Sequence, residues 1–256
     1  MNKIFWLDTE TTGLDSTSNG IIQLAGLMEI NREIVDSINL YIKPFSGCVY
    51  SSGAQDVHGY TIEEIQQSDQ FQSESDAIHE LRSFWGKYIE HQDYTDGAMI
   101  GGYNLQFDTG FLTALWDRTV GDPGPKITHY LRMNQRLDPY MIYHFLSHRN
   151  LLTEAQSKRR LETLTNQFAH SLGIDVNELE FHDAMDDIRA TRALYYTFYD
   201  EIDYLKSQRN DAHRILYKCK KMLSMYPNEQ GRTKAQRYIR EYFEQNNTIP
   251  HGGDES

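Results

Sequence analysis

The sequence predicts an α/β fold in which helices flank a mixed sheet of about five strands. The residues from Ile4 to Leu7 form an uninterrupted apolar run, which is typical of a strand covered on both faces. Segments 21–30 and 34–42 are also apolar, and the short polar connection between them predicts a meander with the first strand. A further short strand is expected at 98–102. A sheet built from these strands would have one large hydrophobic core.

Capping patterns and apolar periodicity mark the helices. Thr61 and Glu64 have the spacing of a capping box, and Asp138-Pro139 reads as an N-cap followed by proline at the first helical position. Apolar residues recur at helical spacing in three further segments, at 74–90, at 104–116 and from 182 onward. Segment 43–60 contains several glycines and one proline, so it is expected to be a loop.

Composition limits the number of domains and the compartment. The chain has 256 residues, of which 39% are hydrophobic, so it can form one large core or one core with an appendage. Its start contains no apolar run long enough for a signal peptide or a membrane span, which predicts a cytoplasmic protein without a membrane partner. The two cysteines, Cys48 and Cys219, lack zinc-site spacing and do not indicate a disulfide framework.

The charge is distributed unevenly along the chain. The net charge of -12 argues against a nucleic-acid partner, but residues 1–200 carry 15 basic and 29 acidic residues, whereas residues 201–256 carry 10 and 8. Segment 208–240 has nine basic residues and two acids, a balance of +7. The sequence therefore predicts three regions, namely a globular domain at 1–205, a basic helical extension at 206–250 and a disordered tail at 251–256.

Two carboxylates follow the first strand directly. Because side chains on a strand repeat every two residues, Asp8 and Glu10 project to the same side. Adjacent like charges resist ionisation unless a cation lies between them, so the pair is a candidate metal site. The alternative is that Asp8 begins an ordinary turn, followed by polar loop residues.

Two more candidate positions lie at helix starts. Asp108 falls in the first turn of a helix that follows a strand, where it can reach the end of the first strand or act only as a dipole or cap residue. Asp183 as an N-cap with Asp186 accounts for two acids of the last cluster. That account does not explain Asp187 or His182. Asp187 falls beside an apolar stripe, where an unpartnered carboxylate is costly, and His182 lies just outside the helix.

Three motifs carry a resemblance to a known family, and they occur in the order Asp8-x-Glu10, Asn104-x-x-Phe107-Asp108 and His182-x-Ala184-x-x-Asp187. Their order and context resemble the DEDDh 3′-to-5′ exonucleases, the group that includes RNase T, oligoribonuclease and the proofreading subunit of bacterial replicative polymerases. The resemblance spans about residues 3–200 and extends to Val57-His58-Gly59. It implies an RNase H-like fold. The sequence departs from the common pattern at Tyr103 and Ile188.

The resemblance implies a role for each motif residue. Two divalent cations, Mg²⁺ or Mn²⁺, would be held by four carboxylates, with Asp8 bridging both ions. Glu10 and Asp187 would complete one site and Asp108 the other. His182 would be the general base, since an imidazole with the ordinary pKa of about 6.5 accepts a proton near neutral pH.

The resemblance also suggests residues that contact the 3′ nucleotide, namely Thr11, Leu14, His58, Asn104 and Phe107. For Leu14 and Phe107, ordinary core packing is an equal alternative. Five residues of the basic extension are candidates for contact with the nucleic-acid backbone, or else belong to a solvated helix face, and they are Lys218, Lys220, Lys221, Arg237 and Arg240.

The sequence thus predicts a metal-dependent exonuclease that acts on nucleic acid with a free 3′ end and releases 5′-mononucleotides. DNA with single-stranded ends is the favoured substrate, with RNA or short oligoribonucleotides as the alternative. Two other readings remain, a catalytically silent module that binds nucleic-acid ends or partner proteins, and a two-metal nuclease that cuts internally. The sequence does not indicate a homo-oligomer or a polymerase partner.

Overall fold

The computed structural model describes residues 2–90, 92–93, 95–121, 124–148, 160–225, 233–238 and 240–241. The tail at 251–256, predicted to be disordered, lies outside the described residues. So does the end of the basic extension, from 242 to 250.

The centre of the fold is a six-stranded sheet in the order β4-β3-β2-β1-β5-β6. Its strands are β1 (Lys3–Thr11), β2 (Ile21–Ile30), β3 (Glu33–Lys43), β4 (Gln72–Ser73), β5 (Ala98–Gly101) and β6 (Leu131–Leu137). The first three strands form the expected antiparallel meander, while β5 runs parallel to β1 and β6 runs parallel to β5. Because β1, β5 and β6 run parallel to one another, their carboxyl ends meet at one edge of the sheet.

The helices in chain order are α1 (Ser52–His58), α2 (Ile62–Gln67), α3 (Glu74–Gly86), α4 (Gln106–Thr119), α5 (Pro139–His148), α6 (Leu161–Gln167) and α7 (Ala184–Met225). Helices α3 and α4 pack on one face of the central strand and the start of α7 packs on the other. The mixed α/β architecture predicted from the sequence is confirmed. The capping box of Thr61 and Glu64 is present at α2, and the Asp138 carboxylate accepts the Tyr140 N–H at 2.9 Å at the start of α5.

Strand β1 is buried on both faces, as its apolar run predicted. Phe5 and Leu7 belong to the cluster that includes the buried faces of α3 and α4. Ile4 and Trp6 point the other way and pack with Ala184 and other residues at the start of α7. Fully burying one side chain of this size contributes about 1.5–3 kcal/mol, so both helix layers are fixed to the strand that carries the first two carboxylates.

Four elements differ from the sequence prediction, and one of them is strand β4, whose two residues are too few to form a sequence pattern. Segment 43–60 is not a loop throughout, because Ser52–His58 forms α1. This helix buries none of its residues, so no apolar stripe marks it in the sequence. Gly59 ends this helix with a φ of +77°, a conformation that glycine adopts without steric cost. Strand β6 and helix α6 were not predicted, because the solvent-facing part of β6 is polar and α6 has only two turns.

The chain divides into two compact units, Met1–Phe198 and Tyr199–Ser256, and α7 crosses the division. The predicted domain boundary at 205 stays a prediction. In the second unit, 233–238 and 240–241 are helical, and the Lys218 ammonium lies 4.9 Å from the centroid of the Tyr238 ring. Within the described part of the chain, no helix is long and apolar enough to cross a membrane.

Candidate active site

The carboxyl end of β1 carries the first two acidic side chains. Asp8 and Glu10 continue the face of Trp6, which packs on α7, whereas Thr9 continues the opposite face. Glu10 is only 9% exposed and lies opposite Gln23 of β2 in the strand register. The alternation of the strand therefore directs both carboxylates toward the start of α7.

The third carboxylate comes from the first turn of α4. Asp108 is 3% exposed, and the Thr9 hydroxyl donates a 2.7 Å hydrogen bond to its Oδ1. The turn before α4 is fixed by Asp138, whose two carboxylate oxygens accept the backbone N–H groups of Asn104 at 3.1 Å and Leu105 at 3.0 Å. The carboxyl ends of β1, β5 and β6 are thereby tied together around Asp108.

The last cluster lies at the start of α7. Asp183 caps the helix, since its Oδ1 accepts the N–H groups of Met185 at 3.0 Å and Asp186 at 3.3 Å, as predicted. The residue before the cap, His182, is exposed and has a φ of +72°, which is uncommon for a residue with a side chain. Asp187, in the first helical turn, is 8% exposed.

These elements bring three of the predicted residues into one group. Ligand atoms of Glu10, His182 and Asp187 all lie within 4.8 Å of one another. Asp8 and Asp108 lie close to this group, since the charge of Asp108 raises the pKa of both Asp8 and Glu10.

Gln23 is a site residue that the sequence analysis missed. It is 1% exposed, and its Nε2 donates to Asp183 Oδ2 at 3.0 Å and to Asn39 Oδ1 at 3.1 Å. Its Oε1 accepts the Ala184 N–H at 3.4 Å. The side chain therefore joins the start of α7 to the sheet beside Glu10. A glutamine inside the apolar run that begins β2 is the signal that could have identified it.

Burial and repulsion from nearby carboxylates raise the pKa of all four carboxyl groups, and for Asp108 the repelling neighbour is Asp138. Burial is the larger cause throughout, and it raises the pKa of Asp8 well above its ordinary value, with further contributions from the charges of Asp108, Asp187 and Glu10. The pKa of Glu10 is raised to about 8, and the pKa values of Asp108 and Asp187 are each raised to about 7. Without a cation, the four carboxylates cannot all be ionised cheaply at neutral pH.

The donor set fits divalent cations. Asp187 Oδ1 is buried and has no hydrogen-bond partner among the described residues, which is costly for a carboxylate oxygen unless a ligand meets it. Carboxylate oxygens are hard ligands of the kind that Mg²⁺ and Mn²⁺ prefer. The residues present can therefore hold such a cation.

The predicted substrate-binding residues are divided between two cavities. Thr11, Leu14 and Phe107 line a cavity of about 420 Å³ together with Thr9, Glu10 and residues of α1, and we call this the terminal cavity. Leu14 is 88% exposed, so core packing does not explain it, whereas Phe107 also packs against the core with its ring 4.8 Å from that of Phe111.

Two predicted residues lie elsewhere. Asn104 lines a second cavity of about 450 Å³ on the side of β6 and α5. His58, at the end of α1, does not line the terminal cavity; its ring lies 6.0 Å from that of Tyr60, and its Nδ1 accepts the Tyr60 N–H at 3.0 Å. In the second unit, all five candidate backbone-binding residues are exposed, namely Lys218, Lys220, Lys221, Arg237 and Arg240.

A family model described as an exonuclease of the RNase T type matches residues 5–195, which include every member of the carboxylate and histidine cluster. The chain belongs to the RNase T exonuclease family. The resemblance found in the three motifs is thereby confirmed at the level of the family.

Curated relatives of this exonuclease chain include PolC-type DNA polymerases III. The protein from Listeria innocua is 26% identical over 217 residues, which are 77% of this chain and 14% of the relative. The protein from Streptococcus pyogenes is 28% identical over 121 residues, or 47% of this chain and 7% of the relative. The chain therefore spans a small part of the length of these polymerases.

Solved structures of exonuclease I share the fold. The Escherichia coli exonuclease I complex with single-stranded DNA, in its zinc-bound form, gives a TM-score of 0.59 at 22% identity and covers 82% of this chain and 43% of that one. Exonuclease I from Methylocaldum szegediense gives 0.57 at 21% identity, with coverages of 85% and 46%. The predicted RNase H-like fold is confirmed by these structures.

Proposed function

We propose that this chain is a metal-dependent 3′-to-5′ exonuclease that hydrolyses DNA with single-stranded ends to 5′-mononucleotides. The observation that carries the proposal is the convergence of Glu10, His182 and Asp187 within 4.8 Å, beside two further acids whose pKa values are raised. A module that only bound nucleic-acid ends would gain nothing from so many buried carboxylates, since each of them repels a phosphate backbone.

Four residues would hold two divalent cations, Mg²⁺ or Mn²⁺, and they are Asp8, Glu10, Asp108 and Asp187. Such ions lower the pKa of bound water and neutralise developing charge on the phosphate and the leaving oxygen. The protein contributes the positions of the carboxylates. The Thr9 hydroxyl holds the Asp108 carboxylate through a hydrogen bond, and the Gln23 amide donates to Asp183 at the start of α7, the helix that carries Asp187.

His182 is the proposed general base. It is exposed, so it can reach a water molecule at the site, and it lies beside Glu10 and Asp187. An imidazole nitrogen of His182 would accept a proton from the attacking water. The same geometry would also allow His182 to bind the metal. The metal affinity of His182→Ala distinguishes these two roles.

The terminal cavity is the proposed site of the 3′-terminal nucleotide. Leu14 and Phe107 offer apolar surface on which a base can stack, and Glu10 lies in the same wall. An exonuclease needs such a cavity beside its reactive groups, whereas a nuclease that cut internally would leave the exposed Leu14 without a function.

The comparisons favour DNA as the substrate. The curated relatives are DNA polymerases, and solved structures of Escherichia coli exonuclease I contain DNA oligonucleotides. The five exposed basic residues of the second unit are proposed contacts for the backbone of longer strands. RNA and short oligoribonucleotides are the alternative substrates.

Digestion of 5′-labelled oligomers tests this function. Single- and double-stranded DNA and RNA of one sequence are incubated with Mg²⁺ or Mn²⁺, with and without a chelator, and the products are resolved by length. We expect a ladder that shortens from the 3′ end, metal dependence and the fastest digestion for single-stranded DNA. Asp8→Asn is the inactive control, and early internal fragments would refute the exonuclease.

A further inference from the structure

The face of β2 that packs on α7 has a buried polar side chain at each end. Gln23 and Glu29 are these two residues, and each is 1% exposed. Ala25 and Leu27 lie between them and belong to the apolar cluster at the start of α7. Gln23 holds the first residues of α7 beside the reactive carboxylates, whereas Glu29 is not among the proposed reactive residues. The burial of Glu29 therefore needs a separate explanation.

Glu29 contacts α7 through both of its carboxylate oxygens. Its Oε2 accepts a hydrogen bond from Arg192 Nε at 2.6 Å, and its Oε1 accepts one from the Tyr196 hydroxyl. The Trp6 indole of β1 donates to the same Oε2 at 3.0 Å. Arg192 also donates to the carbonyl of Arg32 at 2.8 Å, in the turn between β2 and β3. One buried carboxylate thus joins β1, β2 and α7.

The spacing of these contacts is the same on the strand and on the helix. On α7 they run from Ala184 to Tyr196, which corresponds to a rise of about 18 Å in an α-helix. On β2 they run from Gln23 to Glu29, which corresponds to about 20 Å of extended strand. Ala184, Arg192 and Tyr196 also lie on one face of the helix, because residues four apart are neighbours there. Polar contacts at both ends therefore fix the axial position and the rotation of α7 on β2.

Stability alone does not account for a charged pair at this place. Removing a carboxylate and a guanidinium from water is costly, and an apolar pair of similar volume is often as stable. Apolar contacts such as those of Leu27 are not directional, so they tolerate a small shift of the helix. The hydrogen bonds of Glu29 do not, because a shift would leave its buried charge without partners. The pair therefore selects one register of α7 on the sheet.

The register of α7 determines where two site residues lie. Asp187 belongs to the first turn of this helix and His182 precedes it, whereas Asp8 belongs to β1. Trp6, which bonds to the same buried carboxylate, precedes Asp8 on the same face of β1. A shift of α7 along the sheet would therefore move Asp187 relative to Asp8.

We propose that Glu29 is a positioning residue for the exonuclease site. Through Arg192 and Tyr196 it fixes α7 in the register that holds Asp187 beside the carboxylates of β1. This inference rests on the proposed function. Glu29 contacts neither substrate nor metal in this role and acts only through the helix. A misplacement of about 1 Å can reduce a reaction rate about 100-fold, so the register affects turnover and metal affinity as well as stability.

Removing one charge and then both separates the register from stability. Arg192→Met leaves the Glu29 carboxylate buried without its cation, so it should lower the melting temperature. Glu29→Gln/Arg192→Met removes both charges and keeps an acceptor for Trp6, so it should recover most of the melting temperature. For single-stranded DNA at saturating Mn²⁺, both variants should keep a kcat about tenfold to hundredfold below the wild type, with KM nearly unchanged. Calorimetry should find Mn²⁺ affinity lowered about tenfold in both.

Met28→Ala is the matched control, because Met28 is buried next to Glu29 on β2 but packs in the layer of α3 and α4. It should lower the melting temperature and keep the wild-type kcat and Mn²⁺ affinity at a temperature where it is folded. A double variant that recovers kcat and Mn²⁺ affinity together with its melting temperature would overturn the positioning role and leave the exonuclease proposal intact. A wild type that shortens no strand from its 3′ end would overturn the exonuclease proposal itself.

Discussion

Replacing Asp108 by asparagine should stabilise the metal-free protein at alkaline pH while removing its activity. The Asp108 carboxyl is 3% exposed, and burial, opposed in part by the Thr9 hydrogen bond, raises its pKa from 3.8 to about 7. Asparagine has nearly the same shape and keeps an oxygen that can accept from Thr9. The substitution therefore removes the charge with little change in packing.

The size and sign of the effect follow from proton binding. Well below pH 3.8 the carboxyl is protonated in both states, so it contributes no pH dependence. As the pH rises toward 7, the unfolded chain loses this proton while the folded protein retains it, so the folded state loses stability. At about 1.4 kcal/mol per pKa unit, the full loss above pH 7 is about 4 kcal/mol. Asp108→Asn lacks this loss.

Urea unfolding in the presence of a chelator measures the difference between pH 4 and pH 8.5. The free energy of unfolding of Asp108→Asn relative to the wild type should increase by about 2–4 kcal/mol over this range. Asp36→Asn is the control that should show almost no change between pH 4 and pH 8.5, because hydrogen bonds from Tyr88 and Lys87 hold the pKa of Asp36 below its ordinary value and the carboxylate is therefore largely ionised in both states over this range. An Asp108→Asn variant that gains no stability with rising pH would refute the account of crowded, destabilised carboxylates.

Three further predictions concern the base, the start of α7 and the basic extension. His182→Ala should lose roughly 10²- to 10⁴-fold in kcat while keeping metal affinity by calorimetry, whereas loss of metal binding would identify a ligand. Gln23→Leu should lower kcat more than it raises KM, because the start of α7 loses its tie to β2; an unchanged kcat would exclude a positioning role. Replacing the five basic residues of the extension by glutamine should reduce the slope of the logarithm of the binding constant against the logarithm of salt concentration by roughly one to three units for long strands. An unchanged slope with an altered oligomeric state would indicate a protein interface instead.

The sequence predicted the elements whose patterns are strong. The apolar run of β1, the two long strands that follow and the capping signals at Thr61 and Asp138 were sufficient, because each depends on local chemistry. Helix α1 could not be found in this way, since it buries no residue and has no apolar stripe.

The residues of the site could be predicted from the sequence, but the contacts that hold them in place could not. Asp8 and Glu10 could be paired from strand alternation alone, whereas their proximity to Asp187 depends on how α7 packs on the sheet. Gln23 acts through contacts about 160 residues away in the sequence, which no local pattern contains. For the same reason, the separation of Asn104 from the terminal cavity appears only in three dimensions.

Hydrolysis of a single-stranded DNA in water enriched in ¹⁸O tests the central claim most directly. If the carboxylates and His182 activate water at the phosphate of the 3′-terminal nucleotide, mass spectrometry should find 5′-mononucleotides from the first turnover onward, each with one ¹⁸O in its phosphate. Nucleoside 3′-phosphates, or 5′-mononucleotides without the heavy oxygen, would contradict the account.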